Sequence, residues 1–350
     1  MQEREIKYPL KFKPVFRPAI WGGKRLFAFM DCDREAVAAD TLMEPTGECW
    51  GVSAVPGSES VVLNGRLEGM KLSEVTSRYG AELMGEENFR KYGTDFPLLV
   101  KFIDAAKDLS VQVHPGDEMA ARRHGCSGKT EMWYVIDAEE HASLLAGFSS
   151  VMTRSEFEKL SGEELMQVLQ KFHIKSGDMF HLPAGTVHSI GAGAFIAEIQ
   201  QSSDITYRIY DYDRRDSSGK ARELHTELAL EAIDFSICGD SCKISDVGTL
   251  EQGEKIEAGS AGCVKSRYFT TSILDLHADN GVPSRCDFSY LHLHSFVILT
   301  CVAGSMSILY GNGQSLGAKQ GDVVLLPADL QRVSFEVAAG SHCRFLETHI

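Results

Sequence analysis

The stretch Gly177-Asp178-Met179-Phe180-His181-Leu182-Pro183-Ala184-Gly185-Thr186-Val187-His188 matches, without a gap, the stretch Gly321-Asp322-Val323-Val324-Leu325-Leu326-Pro327-Ala328-Asp329-Leu330-Gln331-Arg332. Glycine, aspartate, leucine, proline and alanine recur in register. Each copy reads as a glycine turn, a short apolar strand and a proline-led turn. In a chain of 350 residues, too long for one small core, such a repeat points to two related units of ordinary domain size.

A second pair of motifs lies upstream of each copy: Gln112-Val113-His114 in the first half and His292-Leu293-His294 in the second. Polar residues two apart on a strand share a face, which suits ligands projecting into a β fold. Each half is therefore expected to carry the same site plan. The second copy ends in Arg332 where the first has His188, and Phe296 and Val297 stand where a carboxylate is wanted. The second half is expected to have lost its metal site and to serve packing.

Around these blocks the chain reads as short β-branched and aromatic runs broken by glycine and proline, as in Phe96 to Ile103, Met132 to Ile136, Phe195 to Gln200 and Phe296 to Val302. This is the pattern of an antiparallel β fold. Helices are expected near 72–84, near 223–233 and near 161–172, where Ser161-Gly162-Glu163-Glu164 has capping-box spacing. The small and charged residues from Gly239 to Gly262 mark the expected boundary between an N-terminal catalytic unit, 1–240, and a C-terminal degenerate unit, 241–350.

Composition narrows the partners. A formal net charge of −14 without a basic cluster argues against nucleic acid and anionic membranes. A small anionic substrate remains possible if a few cations converge on one pocket. The charged start Met1-Gln2-Glu3-Arg4-Glu5 and the absence of a membrane-length apolar run lead to a cytoplasmic expectation. Nine cysteines without framework spacing read as reduced thiols.

The chemistry concentrates in the first half. His114 follows the alternating segment Leu109 to Val113 and precedes Pro115, which ends the strand. Glu131 opens the apolar run Glu131-Met132-Trp133-Tyr134-Val135-Ile136, and His188 lies beyond the Pro183-Ala184-Gly185 turn. Two imidazoles, a carboxylate and the Gln112 amide make a borderline nitrogen and oxygen donor set for Zn²⁺, and also for Fe²⁺, Mn²⁺ or Co²⁺. Their order is that of a cupin barrel.

The blocks Phe16-Arg17-Pro18-Ala19-Ile20-Trp21-Gly22-Gly23, Gly47-Glu48-Cys49-Trp50-Gly51, Phe96-Pro97-Leu98-Leu99-Val100-Lys101, Ser110-Val111-Gln112-Val113-His114-Pro115 and Gly128-Lys129-Thr130-Glu131 resemble the successive signatures of type I mannose-6-phosphate isomerases. So does Gln200-Gln201-Ser202-Ser203-Asp204-Ile205-Thr206-Tyr207-Arg208. The resemblance implies a mainly β protein of two cupin jelly-roll units with a few peripheral helices. It also implies one zinc per chain and interconversion of mannose 6-phosphate and fructose 6-phosphate. By that resemblance His114, Glu131, His188 and Gln112 are metal ligands, Arg208 and Lys129 are catalytic, and Ser110 and Lys101 line the substrate pocket. Only a short helical segment fits between Glu131 and His188, as in the short bacterial form of the family.

The residues alone leave several roles open. Arg208 suits the phosphate or an enediolate, or else an ion pair with Asp204 or Asp211. Lys129 is a proton donor or an electrostatic partner, and Trp21, Trp50 and Trp133 are stacking platforms or core. A cupin dioxygenase with a two-histidine, one-carboxylate iron site and a non-catalytic sugar-phosphate-binding cupin are the competing functions. A chain of this length fits a monomer or a homodimer.

Overall fold

The structure is a computed structural model and describes residues 6–32, 45–215, 219–245, 249–250 and 264–350. The first half carries strands β1 (Leu10–Lys11), β2 (Val15–Gly23), β3 (Thr46–Val52), β4 (Leu98–Asp104), β5 (Val111–Val113) and β6 (Glu131–Ala138). It continues with β7 (Ser143–Phe148), β8 (Leu169–His173), β9 (Met179–Leu182), β10 (His188–Ile190), β11 (Ala194–Gln201) and β12 (Tyr207–Tyr210). The second half carries β13 (Thr249–Leu250), β14 (Val264–Lys265), β15 (Thr270–His277), β16 (Ser284–Ser289) and β17 (Val297–Tyr310). Strands β18 (Gln314–Lys319), β19 (Val323–Leu326), β20 (Arg332–Val337) and β21 (His342–His349) complete it. All four expected β runs are strands, and the protein is mainly β. Most of the expected boundary, Gly239 to Gly262, lies outside the described residues.

In the first half, β2-β3-β4-β11-β6-β9 form one sheet and β12-β5-β10-β7-β8 another. Side chains alternate between faces along each strand. On β11, Ile196 joins the apolar cluster of Trp133, Phe180, Leu182 and Ile190, while Phe195, Ala197 and Ile199 join a different one. That second cluster also takes Leu10, Phe102, Ile298 and Leu325 and so joins the two halves. Phe96 and Phe296 meet within it, with ring centroids 4.7 Å apart. Full burial of one such side chain contributes roughly 1.5–3 kcal/mol. The N-terminal strand β1 also crosses over, pairing with β19 through Leu10 and Leu325.

The repeat is structural. The sheet order β4-β11-β6-β9 recurs as β15-β21-β17-β19, and β5, β10 and β8 correspond to β16, β20 and β18. Gly177 and Gly321 open the aligned blocks at φ of 91° and 88°, a left-handed conformation that favours glycine. The aspartate that follows each glycine closes the turn. The Asp178 carboxylate accepts from the Lys175 amide at 3.1 Å, and that of Asp322 from the Lys319 amide at 2.8 Å.

Three expectations need correction. His292, Leu293 and His294 do not lie on a strand; they form the turn after β16, with His294 at φ 51°. Arg332 opens β20 as His188 opens β10, but Arg332 is exposed, and the inward residues of β20 are Val333 and Phe335. Val333 pairs with Phe288 where His188 pairs with Gln112. The second half thus places Phe288, Tyr290, Val297 and Val333 where the first places Gln112, His114, Glu131 and His188. It fills the equivalent place with apolar bulk and one phenol.

The third correction concerns the helix near 161–172, which spans only Glu163–Val168, while Leu169 and Phe172 belong to β8. The Glu164 carboxylate accepts from the Ser161 amide at 3.1 Å, as the capping spacing predicts. Pairing with β7 then overrides the helical period, sending Leu169 and Phe172 into different clusters. The other expected helices are Leu72–Tyr79 with Ala81–Met84, broken at Gly80, and Thr226–Ala232.

Candidate metal centre and active site

Strand ends deliver the three candidate ligands. β5 stops at Val113, just before His114 and Pro115; Glu131 is the first residue of β6, and His188 the first of β10. All three side chains are 2% exposed or less. His114 donates from Nδ1 to the Ile205 carbonyl at 2.8 Å and His188 from Nδ1 to the Thr186 carbonyl at 2.9 Å. Those bonds fix the tautomer and aim each Nε2 lone pair inward. Glu131 Oε2 lies 3.5 Å from His114 Nε2, and Oε1 lies 3.4 Å from His188 Nε2.

This arrangement fits a cation. One donor atom of each residue lies within 4.8 Å of the other two, a spacing that a single ion with bonds of about 2.0–2.1 Å spans once the donors draw in. Neither Glu131 oxygen takes a well-directed hydrogen bond from the protein, although both are buried. Burial, reinforced by the Lys129 charge, holds His114 well below the ordinary histidine range, and burial takes His188 down to about 4. Both imidazoles are therefore neutral at physiological pH, as ligation requires. Burial and then the Glu198 charge push Glu131 up, against the pull of Lys129.

Gln112 stands beside this triad with its amide nitrogen 3.2 Å from His188 Nε2, while its oxygen faces the Ser110 hydroxyl at 3.4 Å. Ligation by Gln112 requires the amide to turn over. Lys129 Nζ lies 2.9 Å from both His114 Nε2 and Glu131 Oε2. The Lys101 ammonium is 3.3 Å from Glu198 and 3.7 Å from Glu48. Carboxylates on both sides raise the Lys101 pKa, although burial acts the other way as the largest single influence.

Arg208, on β12 opposite Gln112, donates from Nη1 to the Glu223 carbonyl at 2.9 Å. Its Nε is buried and has no partner among the described residues. Asp211 takes Arg214 and Arg222 instead, so the ion-pair role imagined for Arg208 falls to its neighbours. A cleft of about 130 Å³ is lined by Ser110, Gln112, Lys101, Lys129, Arg208 and Glu198. An outer space of about 370 Å³ shares Lys101 and Lys129 with it and adds Arg17 and Trp50. Every site residue singled out from sequence therefore converges on one place. Of the tryptophans, Trp21 and Trp50 line these spaces, while Trp133 is wholly buried and donates to Glu198 at 2.9 Å.

Sequence reading missed Glu198. Its signal is a lone carboxylate in the run Phe195 to Ile199, every residue of which is buried. A charge placed in such a strand demands cationic partners. It finds Lys101 and Lys129, whose pull keeps Glu198 below its usual range although burial opposes them.

Residues 10–150 match the family described as phosphomannose isomerase type I, catalytic domain. A mannose-6-phosphate isomerase of Bacillus subtilis is 34% identical over 94% of this chain and 96% of its own length. The chain belongs to the type I phosphomannose isomerases. A mannose-6-phosphate isomerase of Streptococcus mutans is likewise 34% identical, over 94% of this chain and 95% of that protein. The crystal structure of the mannose 6-phosphate isomerase from Bacillus subtilis superposes with a TM-score of 0.77 at 31% identity, covering 98% of this chain and 99% of that one. A zinc-bound mannose 6-phosphate isomerase shares the fold at 15% identity and a TM-score of 0.70, over 97% of this chain and 99% of that one. As a member of this family the chain is an aldose-ketose isomerase, and these relatives give no support to the dioxygenase or the non-catalytic reading. Among the described residues no helix is long and apolar enough to cross a membrane.

Proposed function

We propose that this chain interconverts mannose 6-phosphate and fructose 6-phosphate by proton transfer between C1 and C2 through an enediolate. The carrying observation is the buried Glu131 carboxylate, with Lys129 at 2.9 Å, flanked by two imidazoles that burial keeps neutral. His114, Glu131 and His188 would hold one Zn²⁺ per chain. Other divalent ions of similar preference are compatible with the same donors. When bound, such an ion polarises the sugar oxygens and stabilises enediolate charge.

The protein's own groups supply the rest. Arg208 offers its buried, uncommitted Nε–H to an anion, the sugar phosphate or the enediolate. Lys101 and Ser110 line the sugar's path. Lys129 lies beside Glu131, where a proton can be held or delivered, and Glu198 is an ionic partner of both lysines. Lys101, Lys129 and Glu198 are buried, and charges act more strongly where little water surrounds them.

All these side chains come from one chain, which supports a monomer as a competent unit, whether the protein is monomeric or a homodimer. The eight cysteines among the described residues are unpaired thiols, in keeping with a reducing, cytoplasmic setting. The test is a coupled assay for fructose 6-phosphate formed from mannose 6-phosphate, on protein stripped with chelator and resupplied with Zn²⁺. Turnover should vanish and return. Folded protein that gives no turnover with any divalent ion refutes the reading.

A further inference from the structure

The loop that carries Lys129 and Glu131 is tied to a residue outside the cleft. Asp117 opens the helix Asp117–His124, three residues after His114. Its Oδ1 accepts from the Gly128 amide at 3.0 Å and from Gln201 Nε2 at 3.0 Å. Gln201, buried in β11, accepts through its side-chain oxygen from the Thr130 amide at 2.9 Å. The Lys129 amide donates to the Pro115 carbonyl at 3.1 Å. Each amide from Gly128 to Thr130 is thus held by Asp117, by Gln201 or by the turn after His114.

The fit is close as well as bonded. A Cβ at Gly128 would come within 2.6 Å of the Asp117 backbone nitrogen, so glycine lets the loop lie against the helix start. The loop is also tied to the turn that precedes His188, since Thr130 Oγ1 accepts from the Ala184 amide at 3.2 Å, and that turn is tied to His114, whose carbonyl accepts from the Gly185 amide at 2.9 Å. The other oxygen of Asp117 is taken by the second half of the chain. Tyr268 donates its hydroxyl to Oδ2 at 2.7 Å, and Arg267 approaches at 3.4 Å from an exposed position.

We infer that Asp117 is a positioning residue for Lys129 and Glu131, and that Tyr268 makes the second half a latch on the catalytic loop. The inference rests on the functional reading above. It gives the degenerate half a task besides packing. Groups hydrogen-bonded directly to a metal's ligands typically change metal affinity or activity 10- to 100-fold when removed, and that range bounds a carboxylate acting through the loop's amides.

The test uses the full chain with Asp117→Ala, Asp117→Asn, Tyr268→Phe and, as a control, Arg267→Gln. Three quantities are read: amide exchange at 128–130 in metal-free protein, the Zn²⁺ dissociation constant by chelator competition, and kcat and KM for mannose 6-phosphate. Asp117→Ala should speed exchange at Gly128 and Thr130 at least about tenfold, weaken Zn²⁺ about 10- to 100-fold and lower kcat, with KM within about twofold. Asp117→Asn, which keeps one acceptor oxygen, should recover part of each loss. Tyr268→Phe should shift all three in the same direction by less, and Arg267→Gln should change none. A lower thermal midpoint with unchanged exchange at 128–130 and unchanged Zn²⁺ affinity, in either Asp117→Ala or Tyr268→Phe, overturns the latch. If the wild type fails to turn over, the functional reading falls, and the exchange measurement still decides whether Asp117 orders the loop.

Discussion

Glu198 and Glu347 occupy the same place in the two halves of the molecule. Glu198 on β11 lies between Lys101 on β4 and Trp133 on β6, and Glu347 on β21 lies between Ser272 on β15 and Leu299 on β17. Both are buried. In the first half two ammonium groups and an indole N–H surround the carboxylate. In the second, Tyr290 stands where His114 stands and donates its hydroxyl to Glu347 at 2.8 Å. One position thus serves an ionic site open to a cleft and a closed hydrogen-bonded core.

That contrast sets a prediction. Glu198→Gln removes the charge that holds Lys101 and Lys129 and should lower kcat tenfold or more, in line with general acid–base contributions of roughly 10²–10⁴. Tyr290→Phe removes a donor from a buried carboxylate and should cost about 1–3 kcal/mol of stability while leaving kcat and KM alone. Urea unfolding and the coupled assay on both variants separate the effects. A Tyr290→Phe enzyme that is stable but slow would contradict the division of labour.

Much of this was legible because the deciding residues act through backbone or position. Gly177 and Gly321 recur for their positive φ, and Asp178 and Asp322 because each closes the same turn. His114, Glu131 and His188 stand at strand ends, where proline and the onset of apolar runs announce them. What failed was the face. Past the Pro327 turn, gapless alignment brings Arg332 onto His188, yet the side chain facing inward is Val333. A one-residue slip on a strand inverts every side chain. The tie from Asp117 to Tyr268 joins residues 151 apart in the chain and has no local signature.

Arg208 should behave as an anion clamp. Its partnerless buried Nε predicts that Arg208→Ala raises KM for mannose 6-phosphate, since a charged hydrogen bond contributes about 1.5–3 kcal/mol, or roughly 10- to 150-fold. Arg208→Lys should recover only part, because an ammonium lacks the planar fork. Steady-state kinetics on both variants check this. An unchanged KM with unchanged inhibition by inorganic phosphate would remove Arg208 from the anion site.

His349 gives the fold a pH dependence away from the active site. Burial, opposed by a backbone hydrogen bond, takes its pKa down to about 4, against an ordinary value of 6.5. The unfolded chain therefore binds the proton more readily between those values. The stability contributed by neutral His349 is complete above pH 6.5 and is lost as pH falls toward 4, by at most about 1.4 kcal/mol per pH unit. His349→Gln should flatten urea-unfolding stability between pH 6.5 and 4 relative to the wild type. Parallel curves over that range would mean that His349 does not titrate with unfolding.

The fate of the migrating hydrogen tests the chemistry itself. In the proposed route a base removes the C2 proton of mannose 6-phosphate and the same or a neighbouring group returns a proton to C1. Between those events the proton rests on a protein group at the cleft, whose wall includes Lys129, 2.9 Å from Glu131. A proton on an ammonium or carboxyl group exchanges with solvent whenever water reaches it before transfer is complete. Turnover in D₂O should therefore place deuterium at C1 of fructose 6-phosphate, and over many cycles at C2 of mannose 6-phosphate, as read by NMR of the sugar pool. A hydride passing directly between C1 and C2 never visits the protein and would leave both positions unlabelled after many turnovers. Lys129→Met separates the roles further. If Lys129 holds the proton, kcat should fall about 10²–10⁴-fold. If it serves only as a charge beside Glu131, then Lys129→Arg should restore most of the rate with the labelling pattern unchanged.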